Sequence, residues 1–401
     1  MADNSYDYLI VGAGIVGLTV AHELKTRLPS ARIGVLDKEA NAGMHASGRN
    51  SGVLHSGIYY SSDTLKAKVC AVGATRMMDF ARVHSIPCLK SGKLIIATSE
   101  KDLPSVERLL RNASENGIRS WRIDENELRE IEPHAARGPA AIYSPDTAVI
   151  DSRAVVNRLT ALLEQQGVQF LWRHDFRKVG RPGEVVTNQG KLSYGYLFNC
   201  AGAYADVVAR NFGLAGDYAL VPFKGIYWKL RSEAEYLVRA NIYPVPDIDL
   251  PFLGVHLTRV ISGDVYVGPT AIPALGRENY GLIQGIRPFE AMEIGYQLAG
   301  MYVNNRYNFR RLARQELSRY LKRNILAAAQ RLLPSITLED MVPTPKAGIR
   351  PQLVNLRDGK LEMDYIFQHT DQSTHVLNAI SPAFTSSFAF AEMIVNSSNV
   401  V

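Results

Sequence analysis

The feature that most constrains this chain is a glycine-rich stretch near its N-terminus. Residues 8–17 run Tyr-Leu-Ile-Val-Gly-Ala-Gly-Ile-Val-Gly, and a helix-length segment then leads to the apolar residues 31–37. This order predicts a strand, a tight turn, a helix and a second strand that ends in an acid. Gly12 allows the turn, Gly14 lets a pyrophosphate approach the backbone, and Gly17 lets the helix pack closely on the strand.

The acid at the end of the second strand supports the same interpretation. Asp37 lies 20 residues beyond Gly17, where a carboxylate accepts hydrogen bonds from the ribose of a dinucleotide. The pyrophosphate would face the free N–H groups and the positive dipole end of the helix. The stretch predicts a dinucleotide site and leaves open whether the ligand is NAD or FAD.

Composition and charge limit the class of protein. The 401 residues are 46% hydrophobic and 21% charged, which is enough for a large core and two or three domains. A net charge of +6 gives no reason to expect nucleic acid as a partner. The three cysteines lack metal-ligand spacing, so we expect a reducing compartment and no metal. Because only residues 1–7 precede the first strand, we expect no signal peptide and a cytoplasmic location.

Strand and helix patterns alternate along the chain without an internal repeat or a low-complexity linker. They predict an α/β fold in which a doubly wound, Rossmann-like dinucleotide domain is joined to a discontinuous α+β substrate domain on a mostly antiparallel sheet. The dinucleotide domain is predicted from residues 1–85, 150–215 and 341–401, and the substrate domain from 86–149 and 216–340.

Two further segments bear on the choice of cofactor. The glycine-punctuated loop 47–57 carries Arg49, Asn50 and His55, so it could follow an extended cofactor and present polar groups to a redox ring. Residues 199–206, Asn-Cys-Ala-Gly-Ala-Tyr-Ala-Asp, are small enough for a backbone to pass close to a ligand. An NAD-dependent dehydrogenase would have no role for either segment, which disfavours NAD.

These stretches resemble the FAD-dependent D-amino-acid oxidase and glycerol-3-phosphate dehydrogenase superfamily. More narrowly, residues 48–60, 251–259 and 265–269 are similar to the L-2-hydroxyglutarate oxidase/dehydrogenase family, and the resemblance spans essentially the whole chain. It implies FAD-dependent removal of hydride from C2 of L-2-hydroxyglutarate, giving 2-oxoglutarate, with electrons passed to oxygen or a quinone. The alternatives are oxidation of another small 2-hydroxy acid or amino acid, and a non-catalytic scaffold.

The resemblance also implies which residues hold FAD. Asp37 and Lys38 would lie at the adenosine ribose, and Phe176 would contact the adenine. A helix beginning near Ser381 would present amides to the flavin pyrimidine edge, which becomes negative on reduction and is stabilised by a helix N-terminus. The full set is Gly12, Gly14, Gly17, Asp37, Lys38, Ser47, Asn50, Ser51, Gly52, Phe176, Cys200, Ala201, Gly202, Ser381 and Thr385.

Candidates for catalysis and substrate binding follow from the same chemistry. Oxidising an alcohol requires a base for the hydroxyl proton, and histidine is the best matched. Of nine histidines, we select His55 in the cofactor loop and His256 in an apolar strand, although a strand histidine is often a core residue. Two substrate carboxylates would need cations. The candidates are Lys224, Arg259 and Arg350 as cations and Tyr60 and Tyr227 as hydroxyl donors.

Strand alternation limits that set, because it places His256 and Arg259 on opposite faces, and Arg350 therefore has the better case. Residues 306–331 form a separate basic segment with eight Lys or Arg against a single acid. Its apolar residues recur at helical spacing, which predicts a basic amphipathic helix. Two interpretations are open: peripheral attachment to an anionic inner-membrane surface, or a solvated helix over the core.

Overall fold

The computed structural model describes residues 4–247, 252–398 and 400. Pro251, the first residue of one stretch that carries the family resemblance, lies outside them. The strands, in chain order, are β1 (Ser5–Val11), β2 (Ile33–Asp37), β3 (Val53–Leu54), β4 (Cys88–Lys90), β5 (Lys93–Ala97), β6 (Trp121–Ile123), β7 (Ala140–Ser144), β8 (Ala148–Ile150), β9 (Gln169–Trp172), β10 (Phe176–Val179), β11 (Glu184–Thr187), β12 (Gly190–Asn199), β13 (Tyr218–Leu230), β14 (Asn241–Pro244), β15 (His256–Arg259), β16 (Val265–Gly268), β17 (Ile272–Pro273), β18 (Met341–Asn355), β19 (Phe367–Thr370) and β20 (Ser373–Val376).

Ten α-helices accompany these strands in the described part of the chain. They are α1 (Ile15–Arg27), α2 (Leu65–Val83), α3 (Leu103–Glu115), α4 (Glu125–Ile131), α5 (Ser152–Gln165), α6 (Ala205–Arg210), α7 (Pro288–Asn304), α8 (Phe309–Ser318), α9 (Lys322–Gln330) and α10 (Ala383–Ser397). None of the helices among the described residues is long and apolar enough to cross a membrane.

The first large sheet has the predicted doubly wound character. Its order is β10-β11-β12-β1-β2-β9, with β20 beside β12 and β19 beside β20. Four of its pairings are parallel: β1 with β12, β1 with β2, β2 with β9 and β12 with β20. Leu9 and Ile10 are fully buried, because a parallel sheet is covered on both faces and its strands are therefore apolar throughout. The apolar side chains of α1, α2, α5 and α10 complete this core.

The second large sheet is mostly antiparallel, as predicted. Its order is β17-β13-β16-β15-β14-β5-β7-β6, with β18 beside β13 and only β14 and β5 parallel. The longest pairing joins β13 to β18, from Tyr218 opposite Asn355 to Leu230 opposite Met341. A division into two domains remains a prediction. Since β18 pairs with the second sheet, we place the last boundary after residue 355 rather than at 341.

The cap of α5 is Asp151, whose carboxylate accepts the N–H groups of Arg153 and Ala154 at 3.0 Å each. One local prediction is wrong. The basic segment 306–331 is not one helix, because α8 and α9 are separated by a turn. Nor does it continue α7, since the chain between α7 and α8 adopts left-handed φ values, 46° at Asn305 and 55° at Asn308.

Candidate active site

A cavity of about 670 Å³ is lined by residues of both large sheets. One end lies at the carboxyl ends of β1 and β2, where Gly12 and Asp37 contribute to the wall. The other end is formed by Tyr227 of β13, His256 of β15 and Arg350 of β18. Its volume falls within the range of known cofactor and ligand pockets. The glycine motif and the candidate catalytic residues therefore share one cavity.

Glycine is required for a different reason at each of the three motif positions. Gly12 has φ of +106°, and a Cβ there would lie 2.5 Å from the carbonyl oxygen of Cys200. A Cβ on Gly17 would lie 2.0 Å from the oxygen of Gly12, so Gly17 packs α1 against the turn and does not line the cavity. Gly14 has an ordinary φ of −78°, and a Cβ would meet only the Ser47 hydroxyl, at 3.2 Å. A ligand that approaches the backbone explains Gly14 better than the protein's own packing does.

We predict that Gly14→Val yields a folded protein that does not retain FAD, because the added methyl groups would occupy the space of the pyrophosphate. The flavin absorbance of the purified protein measures retention, and circular dichroism measures folding. Gly216→Val is the matched control, since nothing lies within 4 Å of a Cβ at that glycine. Full flavin content in Gly14→Val would show that the cofactor lies elsewhere.

The predicted ribose end is closely hydrogen-bonded. The Asp37 carboxylate accepts the backbone N–H of Ala13 at 2.7 Å and that of Glu39 at 2.9 Å. The Lys38 ammonium contacts Glu39 and lies 2.7 Å from Glu278. Ligand atoms of Glu39, His45 and Glu278 lie within 4.8 Å of one another. Lys38 already supplies the positive charge that a metal would bring to these carboxylates.

The loop after β2 carries the next group of predicted cofactor contacts. Ser47 accepts the N–H of Ile15 at the first turn of α1, at 2.9 Å. The Asn50 side chain holds the loop by donating to the Ser47 carbonyl at 2.7 Å and accepting from the Gly52 N–H at 2.8 Å. Ser47, Asn50 and Ser51 line the cavity, whereas Gly52 does not. Gly52 has φ of +72°, so its role is the turn itself.

The remaining predicted cofactor contacts all line the cavity. Thr385, in the first turn of α10, accepts the backbone N–H of His55 at 3.2 Å and donates to the carbonyl of Val53 at 3.3 Å. These bonds tie the loop 53–55 to the N-terminus of α10, where the helix dipole favours negative charge. The lining set is Phe176, Cys200, Ala201, Gly202, Ser381 and Thr385.

His256 is held in one tautomer. Its Nδ1 lies 2.9 Å from the carbonyl oxygen of Gly254, and because a carbonyl only accepts, Nδ1 carries the proton and Nε2 keeps a lone pair. The ring stacks on Tyr243 with centroids 3.9 Å apart. Burial lowers the pKa of His256 to about 4; the Gly254 carbonyl opposes this, and Lys93 and Arg350 add to it. At neutral pH, His256 is an uncharged and oriented proton acceptor.

His55 lines the same cavity but is oriented less completely. Its backbone carbonyl lies 3.4 Å from the thiol of Cys70, which donates to it. Its Nδ1 is buried and has no hydrogen-bond partner within the described part of the chain. Burial lowers the pKa of His55 well below its ordinary value, and the positive charge of Lys93 lowers it further.

Arg350 brings a permanent positive charge to this end of the cavity. It lies opposite Phe223 in the pairing of β18 with β13, and its guanidinium is 5.4 Å from the ring centroid of Phe252. Burial lowers the pKa of Arg350, while the phenols of Tyr60 and Tyr227 act in the opposite direction. A guanidinium stays protonated in proteins and presents a planar fork that matches a carboxylate.

Three predicted substrate residues lie outside the cavity wall, namely Lys224, Tyr60 and Arg259. Lys224 is on the face of β13 that points away from it, and its ammonium donates to the carbonyl of Gly281 at 2.7 Å and to the side chain of Asn279 at 3.3 Å. Alternation along the strand is the reason, since Phe223 and Gly225 take the cavity side. Tyr60 also lies outside the wall, but shares a hydrogen bond with Ser381, which is part of it.

Arg259 is also directed away from the cavity. Its guanidinium donates to the carbonyls of Glu235 and Val238 at 2.9 and 3.0 Å. The alternation that places His256 in the wall turns Arg259 to the other side, so the conflict expected from the sequence is resolved against Arg259.

Two functional neighbours of His256 were missed by sequence reasoning. Tyr243 of β14 forms its stacking partner. Lys93 opens β5 and is 0% exposed, near enough to influence both cavity histidines. A signal for Lys93 existed, because a lysine at the start of the apolar strand Lys-Leu-Ile-Ile-Ala is unusual. Tyr243 gave none, since the sequence does not show that its ring would stack on His256 across two paired strands.

Comparison with known proteins places the chain in a family. A family model described as FAD dependent oxidoreductase matches residues 7–397. An L-2-hydroxyglutarate dehydrogenase of Indibacter alkaliphilus is 36% identical over 96% of this chain and 96% of that protein. Mitochondrial L-2-hydroxyglutarate dehydrogenases of Caenorhabditis elegans and Homo sapiens are 36% and 35% identical, each over 98% of this chain and over 92% and 88% of those proteins.

Solved structures agree on the fold. An FAD-bound L-alpha-glycerophosphate oxidase of Mycoplasma pneumoniae has a TM-score of 0.75 at 21% identity, covering 98% of this chain and 94% of that one. A glycine oxidase of Geobacillus kaustophilus has a TM-score of 0.72 at 17% identity, with the same coverage. The fold, the glycine turn and the family match identify FAD as the cofactor. The chain belongs to the family of FAD-dependent oxidoreductases.

Proposed function

We propose that the protein oxidises L-2-hydroxyglutarate to 2-oxoglutarate. The observation that carries this proposal is an excess of buried positive charge around His256. Burial lowers the pKa of His55 and of His256, and the positive charges of the buried Lys93 and of Arg350 lower both further. A substrate with two carboxylates would compensate that charge. The relatives named as L-2-hydroxyglutarate dehydrogenases support the same substrate.

The carboxylates of the described cavity wall do not neutralise this cluster. They are Asp37, Asp175, Glu278 and Glu316. Asp37 and Glu278 lie at the proposed ribose end, Asp175 precedes the proposed adenine contact Phe176, and Glu316 is ion-paired with Arg319. The histidine end therefore favours an anionic ligand over an amino acid, whose ammonium group would meet Arg350 and feel the positive charge of Lys93 behind the wall.

The reaction assigns each side chain a task. Bound FAD supplies the acceptor for the hydride that leaves C2. Arg350 holds one substrate carboxylate so that the C2 hydroxyl points to Nε2 of His256. This nitrogen accepts the hydroxyl proton as the O–H and C2–H bonds break and the carbonyl forms. The substrate's own negative charge raises the proton affinity of His256 from its low value in the free enzyme. With FAD bound, the N-terminal amides of α10 would stabilise negative charge on the flavin.

The dicarboxylate claim is tested by removing one carboxylate from the substrate. L-2-hydroxybutyrate has the same reacting carbon as L-2-hydroxyglutarate but lacks the distal carboxylate. We expect its kcat/KM to be at least ~10-fold lower, a difference above about 1.4 kcal/mol. Steady-state turnover with an artificial electron acceptor measures both acids. Equal values would contradict recognition of the second carboxylate.

We also propose that the enzyme attaches peripherally to an anionic membrane, and that its electrons pass to oxygen or to a quinone. The basic segment 306–331 supports membrane attachment less than its net charge indicated, because Arg319 is buried against Glu316 and cannot contact lipid. A different surface supports attachment. We call it the apolar face of α7: four residues of the helix, each 68–89% exposed, namely Phe289, Met292, Tyr296 and Val303. Leu282 and Ile283, in the chain before the helix, are 82% and 83% exposed.

The residues around the apolar face of α7 favour a lipid membrane as its partner. Phe289, Met292, Tyr296 and Val303 recur on one side of α7, and large apolar side chains exposed next to one another are typical of an interaction site. Exposed arginines lie at both ends of the helix, Arg287 at its start and Arg306, Arg311 and Arg314 beyond its end. An apolar face flanked by cations is typical of helices that lie in the interface of an anionic bilayer.

We predict that the protein floats with vesicles containing phosphatidylglycerol at low salt and is released at high salt, because each arginine near the surface contributes about 1 kcal/mol that ions screen. Met292→Glu/Tyr296→Glu should abolish flotation. Val72→Glu/Val83→Glu, at exposed positions of α2, is the matched control and should float normally. No flotation of the wild type would contradict attachment. If the wild type were a dimer without lipid, and Met292→Glu/Tyr296→Glu made it monomeric, the face would be assigned to self-association instead.

A further inference from the structure

Lys93 is a buried cation that the proposed reaction does not yet use. Its ammonium has no hydrogen-bond partner in the described part of the chain. It lies 4.5 Å from the ring centroid of Tyr59 and 5.1 Å from that of Tyr243. Cation–π contacts attract the ammonium but do not neutralise it. Burial of an unneutralised charge is costly, so this position calls for a functional explanation.

One aromatic ring connects Lys93 to the proposed base. Tyr243 contacts the ammonium of Lys93 and stacks on the imidazole of His256. Lys93 is not part of the cavity wall, so it acts on the reaction through its neighbours rather than by touching the substrate. Its charge reaches both His55 and His256.

We propose that Lys93 is a positioning residue for proton transfer: its charge adds to burial in keeping the cavity histidines unprotonated, so that Nε2 of His256 is free to accept the substrate proton in acidic as well as neutral solution. The inference rests on the proposed role of His256 as the base. Lys93 affects the pH range in which His256 can accept a proton, whereas Arg350 positions the substrate.

The charges of the neighbouring groups determine in which direction Lys93 changes the pKa of His256. Burial lowers the pKa of Lys93 to about 7, with Cys70 opposing, so Lys93 is charged below neutral pH, where a histidine would otherwise gain a proton. Arg350 acts on His256 in the same direction. Burial raises the pKa of Tyr227 to about 12 and that of Cys70 to about 12. Burial also raises the pKa of Tyr59 and Tyr243, so all four groups are neutral there.

The test compares pH profiles of kcat/KM for flavin reduction, which report the free enzyme. In the wild type, activity should be lost only as the pH falls below about 5, since the pKa of His256 is about 4. Lys93→Met removes the charge, and we expect the acid limb to move upward by roughly one pH unit. Lys93→Arg and the exposed control Lys68→Met should leave it in place. The proposal would be overturned if the acid limb of the kcat/KM profile stayed in place in Lys93→Met, or if it moved equally far in Lys93→Arg.

A second measurement needs no variant of Lys93 and no turnover. In FAD-loaded enzyme labelled with 15N-histidine, the ring signal that disappears in His256→Asn identifies His256. We expect this signal to titrate below pH 5 in the wild type; titration near 6.5 would show that His256 is protonated in acidic solution, which would overturn the premise on which the role of Lys93 rests. Absence of flavin reduction by L-2-hydroxyglutarate would instead contradict the proposed function, so the two failures are distinguishable.

Discussion

His256→Asn is expected to slow flavin reduction by L-2-hydroxyglutarate by about 10²–10⁴-fold while FAD stays bound, because this is the range that a positioned general base contributes. The asparagine amide can still donate to the Gly254 carbonyl, which preserves the local hydrogen bond. It has no lone pair of suitable basicity in place of Nε2. Anaerobic stopped-flow absorbance measures the rate, and the flavin-to-protein ratio measures cofactor content.

His55→Asn provides the comparison within the same cavity. We expect a smaller effect, because no hydrogen bond to Nδ1 of His55 fixes its tautomer in the described residues. A larger effect in His55→Asn would transfer the role of base to His55. Near-normal reduction in both single variants would remove histidine from the mechanism.

Arg350→Met is expected to lower kcat/KM for L-2-hydroxyglutarate by about 10²–10³-fold. Removing one partner of a shielded charge pair costs about 2–5 kcal/mol, because the carboxylate is left without compensation. Arg350→Lys should recover part of the loss, since it keeps the charge but not the planar fork. Steady-state kinetics on FAD-loaded protein measures each value.

Arg259→Met is the matched control, since Arg259 lies in β15 of the same sheet but donates to backbone carbonyls away from the cavity. We expect its kcat/KM to stay close to that of the wild type once FAD content is normalised. If Arg259→Met were as damaging as Arg350→Met, the assignment of the substrate carboxylate to Arg350 would be wrong.

What could be predicted from the sequence depended on how local each signal was. The turn at Gly12 and Gly14 was predictable because backbone geometry and ligand approach restrict the residue type at each position. Strand alternation already indicated that His256 and Arg259 could not both face the substrate. It could have excluded Lys224 in the same way, had the cavity side of β13 been known.

Other features arise only from contacts between distant segments. β18 joins the second sheet through its pairing with β13, for which neither strand carries a local signal. The stack of Tyr243 on His256 joins two strands of that sheet. The basic segment was misjudged because helical spacing of apolar residues does not reveal a turn, and because the net charge of a segment does not reveal that Arg319 is buried against Glu316.

The most direct test of the proposed function is anaerobic mixing of the FAD-loaded enzyme with L-2-hydroxyglutarate, D-2-hydroxyglutarate and L-lactate while the flavin absorbance is recorded. We expect rapid and complete bleaching with L-2-hydroxyglutarate, formation of one 2-oxoglutarate per flavin, and little bleaching with the other two. Bleaching by L-lactate at the same rate, or a flavin that stays oxidised with L-2-hydroxyglutarate, would contradict the account.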